Sequence, residues 1–492
     1  MSLLSTVIWE QINVDSDNRK PLYKQISQQI EQMVHEGKLK PGIRLPSERK
    51  MATLLNVSRM TLTLAYEELK SRGIVRSQQG SGTFIMRGPR IEKTEQAVTW
   101  HKNFAYQTEK VNHGMEKIMR LGRDSRLIPF GGVGTAPEVH PGIDFSQCFA
   151  EHLRKNPILL QLPAPTQGYE PLIFVLKDWL SERGIYANEQ EIMIVSGAMQ
   201  GVDLISRLFL GPGDYVIMEE PGFLGASDAF AATGAKTLRI TLDEQGIKTD
   251  NIENLLMQFP VKFIYLNPTF QNPTGITISL QRRKELLELA KKYKVPIVED
   301  DPFSLLYYEE NPIPSFKALD TDNMVIHLQS FSKYLFPTLR VAVLVADEGI
   351  ISNLVKIKQR IDLHSNNLTQ IAVQVYLEEG RLSNHIEKLR QSYRRRLSLI
   401  KDLLKDRPNL QCRLPDGGVF LWCKIPKGII SERLLQIAIE KGVLFVPGSW
   451  MSGVGLYENY IRLAFTHPSL NALKDGIERI DLAINEYYSY HL

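Results

Sequence analysis

Between residues 191 and 345, short apolar runs alternate with helix-like segments, and every polar cluster falls directly after a run. Residues 191–195 lead into Ser196-Gly197-Ala198-Met199-Gln200-Gly201. Residues 214–219 lead into Pro221-Gly222-Phe223, and residues 261–266 into Asn267-Pro268-Thr269-Phe270-Gln271-Asn272-Pro273-Thr274-Gly275. Residues 295–298 end in Glu299-Asp300-Asp301. Residues 324–328 precede Ser330-Phe331-Ser332-Lys333-Tyr334-Leu335-Phe336-Pro337-Thr338-Leu339-Arg340, and the run 341–345 follows. Strands that alternate with helices form an α/β fold with a mainly parallel sheet, and the ends of such strands share one edge, where ligands bind. The chain has 492 residues, too many for one core, so two or three domains are expected.

The chemistry gathered at that edge is specific. A lysine between two core strands is costly unless it is solvated, paired or used covalently. Lys333 is flanked by hydroxyls and lies seven residues before Arg340, which suits a lysine condensing with an aldehyde cofactor whose phosphate the hydroxyls and arginine hold. The turn before the helix at 202–210 offers free amides and a helix dipole to an anion. Phosphate-type turn, aromatic, asparagine, carboxylate and lysine together are the set that pyridoxal phosphate requires. A carboxylate keeps its ring nitrogen protonated, an asparagine donates to the ring hydroxyl, and an aromatic stacks on the ring.

The first 87 residues differ. They carry a net charge of +5, more than the +4 of the whole chain, as expected of a part that meets a polyanion. Apolar residues Leu22, Ile26, Ile30, Met33 and Val34 have helical spacing, ended by Gly37 and Pro41-Gly42. Ser47 is placed to cap a second helix to about Leu55, and Ser58 a third to about Ser71. Residues 74–76 and 83–85 read as short strands around a glycine-containing turn. Helix, helix, turn, helix, hairpin is the order of a winged helix-turn-helix. Ser58, Arg59 and Thr61 open the third helix, where short polar groups meet phosphate and an arginine reaches guanine.

Two resemblances rest on these residues. KPGIRLPSERKMATLLNVSRMTLTLAYEELKSRGIVRSQQGSGTFI resembles the DNA-binding domain of GntR-type bacterial transcription regulators. That resemblance implies binding of double-stranded operator DNA as a dimer, with Arg44, Arg49, Ser58, Arg59, Thr61 and Gly80 at the DNA. Residues 127–490, through QNPTG, VEDDPF, SFSKYLFPTLR and NYIRLAF, resemble the fold type I, aspartate-aminotransferase-like enzymes. By that resemblance Lys333 is the catalytic lysine that forms a Schiff base with pyridoxal 5′-phosphate. Asp300, with Asp301 as the alternative, pairs the ring nitrogen, Asn272 faces the ring hydroxyl and Phe223 stacks on the ring. Ser330, Arg340 and the amides of Ala198 and Met199 hold the phosphate, and Arg462 clamps a substrate carboxylate. Both halves together resemble the MocR subfamily of GntR-type regulators.

The expected organisation is a winged helix-turn-helix over 1–86, a linker over 87–126 with a helix near its middle, and an aminotransferase-like domain over 127–492. A smaller α+β part of that domain starts at about 375. Trp100, Phe104 and Tyr106 are expected to pin the linker. The expected function is a pyridoxal-phosphate-dependent regulator that senses the cofactor, or an amino-acid or amine effector forming an imine with it. The alternatives are a working aminotransferase with an appended DNA-binding domain, and a cofactor-free regulator whose body only dimerises. Transamination is expected to be weak or absent, because Pro302-Phe303 stands where these enzymes carry a tyrosine. Gln161-Leu162-Pro163, Ile173 and Thr338 depart from the pattern as well. A homodimer is expected from the resemblance, and a head-to-tail arrangement of its DNA-binding heads is one option that the sequence leaves open. No apolar run is long enough to span a bilayer, and the N-terminus lacks the regions of a secretory signal. Cys148, Cys412 and Cys423 form no metal-type cluster, no metal is expected, and the three read as buried thiols in a reducing cytoplasm.

Overall fold

The computed structural model describes residues 8–16, 18, 20–78, 81–86, 113–132, 134–308 and 313–491. Gly80, Trp100, Phe104 and Tyr106 lie outside them. The chain divides into two compact units, residues 1–105 and 106–492.

In the first unit, helices Leu22–His35, Glu48–Leu54 and Arg59–Ser71 enclose a core of Ile26, Ile30, Met51, Leu62, Ala65 and Leu69. Ser47 Oγ accepts from the Lys50 amide and Ser58 Oγ from the Thr61 amide at 3.1 Å, so both serines cap as the sequence predicts. The strands Val75–Gln78 and Gly82–Ile85 pair antiparallel as the wing. Arg44 bridges to Phe84 at its base. Gly82 has φ +115°, and a Cβ there would collide with the Arg44 guanidinium, so glycine is required.

The second unit holds an eight-stranded sheet. From one edge the order is Ile192–Val195, Ala342–Val345, Val325–Ser330, Ile297–Asp301, Val261–Leu266, Tyr215–Glu220, Lys236–Asp243 and Gly246–Ile247. Strands Ile192–Val195, Ala342–Val345, Val325–Ser330 and Ile297–Asp301 are buried at every residue, as a sheet covered on both faces requires. Ala342–Val345 runs antiparallel to both neighbours. Its first residues therefore lie at the edge where the parallel strands end, which brings Arg340 to the lysine's side.

A smaller antiparallel sheet, Gln411–Arg413, Phe420–Lys424, Tyr460–Ala464 and Val446–Pro447, completes the α/β fold. Helices Ser431–Glu440 and Leu470–His491 contribute Leu434, Leu435, Leu473, Ile477 and Ile480 to the core cluster that also holds Leu421 and Leu463 of that sheet. The helix expected in the linker spans His113–Leu121, and its Ile118 is buried in the core of this unit. The later part of the connector thus belongs to the body. One sequence expectation is corrected. Cys412 and Cys423 are not separate thiols but a disulfide, because pairing of their strands sets them directly opposite, with Cα atoms 4.1 Å apart. Cys148 is the free, buried one. No helix among the described residues is long and apolar enough to cross a membrane.

Candidate functional site

Lys333 ends a 3₁₀ turn, Phe331–Lys333, that follows the strand Val325–Ser330. Burial pushes its amine down to about 8, Arg462 and Arg340 push the same way, and Asp300 pulls back. Asp300 is the penultimate residue of Ile297–Asp301 and is buried. Its Oδ2 accepts from the Tyr265 hydroxyl at 2.5 Å, and its Oδ1 has no partner. Burial raises its carboxyl to about 6, against the pull of Tyr265. Neighbouring side chains in a strand point to opposite faces, so Asp301 looks elsewhere. It caps a turn instead, Oδ1 accepting from the Ser304 amide at 2.9 Å. Of the two aspartates only Asp300 keeps a buried carboxylate oxygen without a partner, and both are buried rather than on a solvated turn.

A chain of hydrogen bonds runs from Asp300 to Arg462. Asn267 Nδ2 donates to the Asp300 carbonyl at 2.6 Å, and Asn267 Oδ1 accepts from the Asn272 amide at 2.7 Å. Asn272 Oδ1 accepts from Arg462 Nη1 at 2.8 Å, and Arg462 Nη2 donates to the Gly131 carbonyl at 2.9 Å. Arg462 Nε is buried without a partner, and the guanidinium lies 4.3 Å from the centre of the Phe420 ring. Burial alone lowers Arg462 to about 9. Among the described residues no carboxylate pairs with it, and a buried cation without a counter-charge is costly. Phe303 packs edge-on against the same Phe420 ring at 5.4 Å.

The anion turn is assembled too. Arg340, at φ +52°, donates through Nη2 to the Ser196 carbonyl at 3.3 Å. Gly197, at φ +87°, lies so close to the guanidinium that a Cβ would overlap it. The helix Ala198–Phe209 begins there, leaving the amides of Ala198 and Met199 among those with no intrahelical acceptor. Ser330 is buried and its Oγ accepts from the Ser332 amide at 3.3 Å, while Ser332 Oγ is buried without a partner. Phe223 is half-buried at the same edge, three residues past the strand Tyr215–Glu220. Sequence reasoning missed Tyr265, Asn267 and Gly131. A tyrosine in a fully buried run must find a partner for its hydroxyl, which was the one available signal.

In the first unit Arg44, Arg49, Ser58 and Arg59 are exposed and Thr61 is half-buried. Arg59 is 75% exposed and pairs only loosely with Glu48, at 3.7 Å, a surface contact worth about 0–1 kcal/mol. Its removal leaves the fold intact. Arg59→Ala is expected to weaken operator binding by about 1–3 kcal/mol in a titration at fixed salt. An unchanged affinity for operator and for random DNA alike would take Arg59 off the interface.

A winged helix-turn-helix on one side and an aminotransferase-type edge on the other define a DNA-binding regulator that carries an enzyme-like body. Residues 164–480 match the family described as aminotransferase class I and II, and residues 22–85 match bacterial regulatory proteins, gntR family. The chain therefore belongs to the class I and II aminotransferase family and carries a gntR-type head, the combination of the MocR-type transcription regulators. It is 35% identical over 380 residues to aromatic-amino-acid aminotransferase 1 of Thermococcus litoralis, covering 76% of this chain and 91% of that one. It is 30% identical over 479 residues to the HTH-type transcriptional regulator YdfD of Bacillus subtilis, covering 95% of this chain and 97% of that one. Among solved structures, LysN, an α-aminoadipate aminotransferase of Thermus thermophilus complexed with N-(5′-phosphopyridoxyl)-L-leucine, superposes with a TM-score of 0.74. The identity is 31%, over 80% of this chain and all of that one. Pyridoxal 5′-phosphate is the cofactor of this family. The unpaired Asp300 Oδ1, the unpaired Ser332 Oγ, the desolvated Lys333 amine and the Gly197–Arg340 cradle all fit it.

Proposed function

We propose that this regulator senses pyridoxal 5′-phosphate, or an amino-acid or amine compound joined to it, and changes its grip on operator DNA in response. When bound, the cofactor supplies an aldehyde that exchanges between amines and a ring that accepts electrons. In this reading Lys333 offers the amine that holds it. Asp300 keeps the ring nitrogen charged, Asn272 donates to the ring hydroxyl through its free amide nitrogen, and Phe223 covers the ring. Ser330, Arg340 and the Ala198 and Met199 amides take the phosphate. Arg462, a buried cation with no carboxylate beside it, receives the carboxylate of the effector, which favours an amino acid over a simple amine. The observation that carries the reading is the convergence of Lys333, Asp300 and Arg340 on one sheet edge in a chain that also has a DNA-binding head. A ligand shifts a regulator only through unequal affinity for its states. We also place the protein in the cytoplasm, where its operator is, and assign it a homodimer.

The retained donor set also suits a working aminotransferase. Spectra and operator titrations of the purified protein, with and without amino acids, separate the readings. Sensing predicts a spectral change on adding the effector and a matching change in operator affinity. Operator binding that ignores both cofactor and every amino acid ends the sensing reading. Steady amino transfer to an oxo acid at enzyme-like rates establishes the enzyme.

A further inference from the structure

We propose that Tyr265 is a positioning residue for the ring-nitrogen carboxylate: its hydroxyl holds one oxygen of Asp300 and leaves the other for the cofactor. This rests on the placement of pyridoxal 5′-phosphate at Lys333 argued above.

The geometry is specific. Tyr265 aligns with Val298 in the neighbouring parallel strand, and Asp300 is two residues further along, on the same face of the sheet. The phenol is fully buried and fixed edge-on by Phe230 at 5.4 Å. Burial and the Asp300 charge raise the phenol well above its ordinary range, so it keeps its proton and donates to Asp300 Oδ2. Asn267 fixes the main chain of the same aspartate through its carbonyl. The aspartate is therefore held at its main chain and at Oδ2 while Oδ1 stays unengaged.

The hydroxyl has an electrical task as well. Burial favours a neutral Asp300, and a neutral carboxyl cannot hold a proton on a ring nitrogen. Asp301 opposes the Asp300 charge, while His327 and Lys333 favour it. Tyr265 supplies a short hydrogen bond that favours the ionised form without adding charge to the site. A phenylalanine would fill the same space and lack only that bond, so Tyr265→Phe separates the hydroxyl from the packing.

The test compares native protein, Tyr265→Phe, Asp300→Asn and the double variant. Each is titrated with pyridoxal 5′-phosphate, and its visible absorption is followed against pH. Tyr265→Phe is expected to bind the cofactor about tenfold more weakly, the size of one hydrogen bond to a charged group. The pH midpoint of the absorption should rise by about half a unit, because a less charged Asp300 holds less charge on the ring. In the Asp300→Asn background the second change should have no further effect. A Tyr265→Phe protein that titrates like the native one overturns the inference. So does an equal loss in both backgrounds, which would mark Tyr265 as packing alone. Native protein that attaches no cofactor at Lys333 overturns the cofactor placement, and this inference with it, before any Tyr265 variant is made.

Discussion

Lys333→Ala protein, mixed with pyridoxal 5′-phosphate and reduced with borohydride, is expected to retain none of the covalently fixed cofactor that the native protein keeps. The turn of Ser196, Gly197 and Arg340, the proposed phosphate site, is untouched by this change, so weak, reversible binding should persist. The native protein makes the sharper comparison. Only the neutral amine attacks an aldehyde, and its pKa of about 8 leaves about a tenth of it neutral at pH 7. An ordinary lysine would have less than about a thousandth. Loading of cofactor-free native protein should therefore accelerate as pH rises toward 8 and level off above it. An unshifted lysine would still be gaining near pH 10. Native and Lys333→Ala proteins with the same borohydride-fixed yield would remove the lysine from the site.

The second large effect concerns stability. Arg396 is fully buried and grips Glu138 with two nitrogens, Nη2 at 2.8 and 2.7 Å from the two oxygens and Nε at 3.1 Å from Oε1. It also donates to the carbonyls of Phe465 and Pro468. Ser392 donates to the same carboxylate at 2.7 Å. Arg396→Ala removes a long packed stem and leaves two buried carbonyls without their donor. The Glu138 side chain is 43% exposed, so its lost partner counts for less than in a sealed pair. The expected loss is about 2–4 kcal/mol, read from the denaturant midpoint of the body's transition. Arg395→Ala, exposed and next in line, should move it by no more than about 0.5 kcal/mol. Equal shifts in the two variants would mean that Arg396 is no anchor. Loosening residues 131–138 should also weaken binding of a carboxylate ligand, because Gly131 braces Arg462.

These two arginines show what sequence reading reaches and what it does not. Arg462 was legible because it lies in a short motif, NYIRLAF, with a recognisable neighbourhood. Arg396 was not, since one cation in the helix Arg381–Leu404 looks like any other until its face is known. Ser47 and Ser58 were legible as caps because capping is local. The sheet edge was legible because each polar cluster follows its own strand. Gly131, Asn267 and the Cys412–Cys423 bond depend on which strand meets which. Arg462 and Gly131 are 331 residues apart, and no periodicity carries that information. The different surroundings of Asp300 and Asp301 follow from the direction of each side chain, which is fixed by the sheet's two faces and not by composition.

The antiparallel strand Ala342–Val345 has a mechanical consequence. It and Val325–Ser330 are adjacent and hydrogen-bonded, so the loop that joins them, with Lys333 and Arg340 on it, is tethered at both ends to the stiffest part of the body. The loop is thereby anchored by ladder hydrogen bonds both before and after it. The opposite wall, where Arg462 reaches Asn272 and Gly131, is stitched by single hydrogen bonds between distant segments. On the proposed function, a carboxylate that pairs with Arg462 competes with those single bonds, while the Lys333 loop keeps its strand anchors.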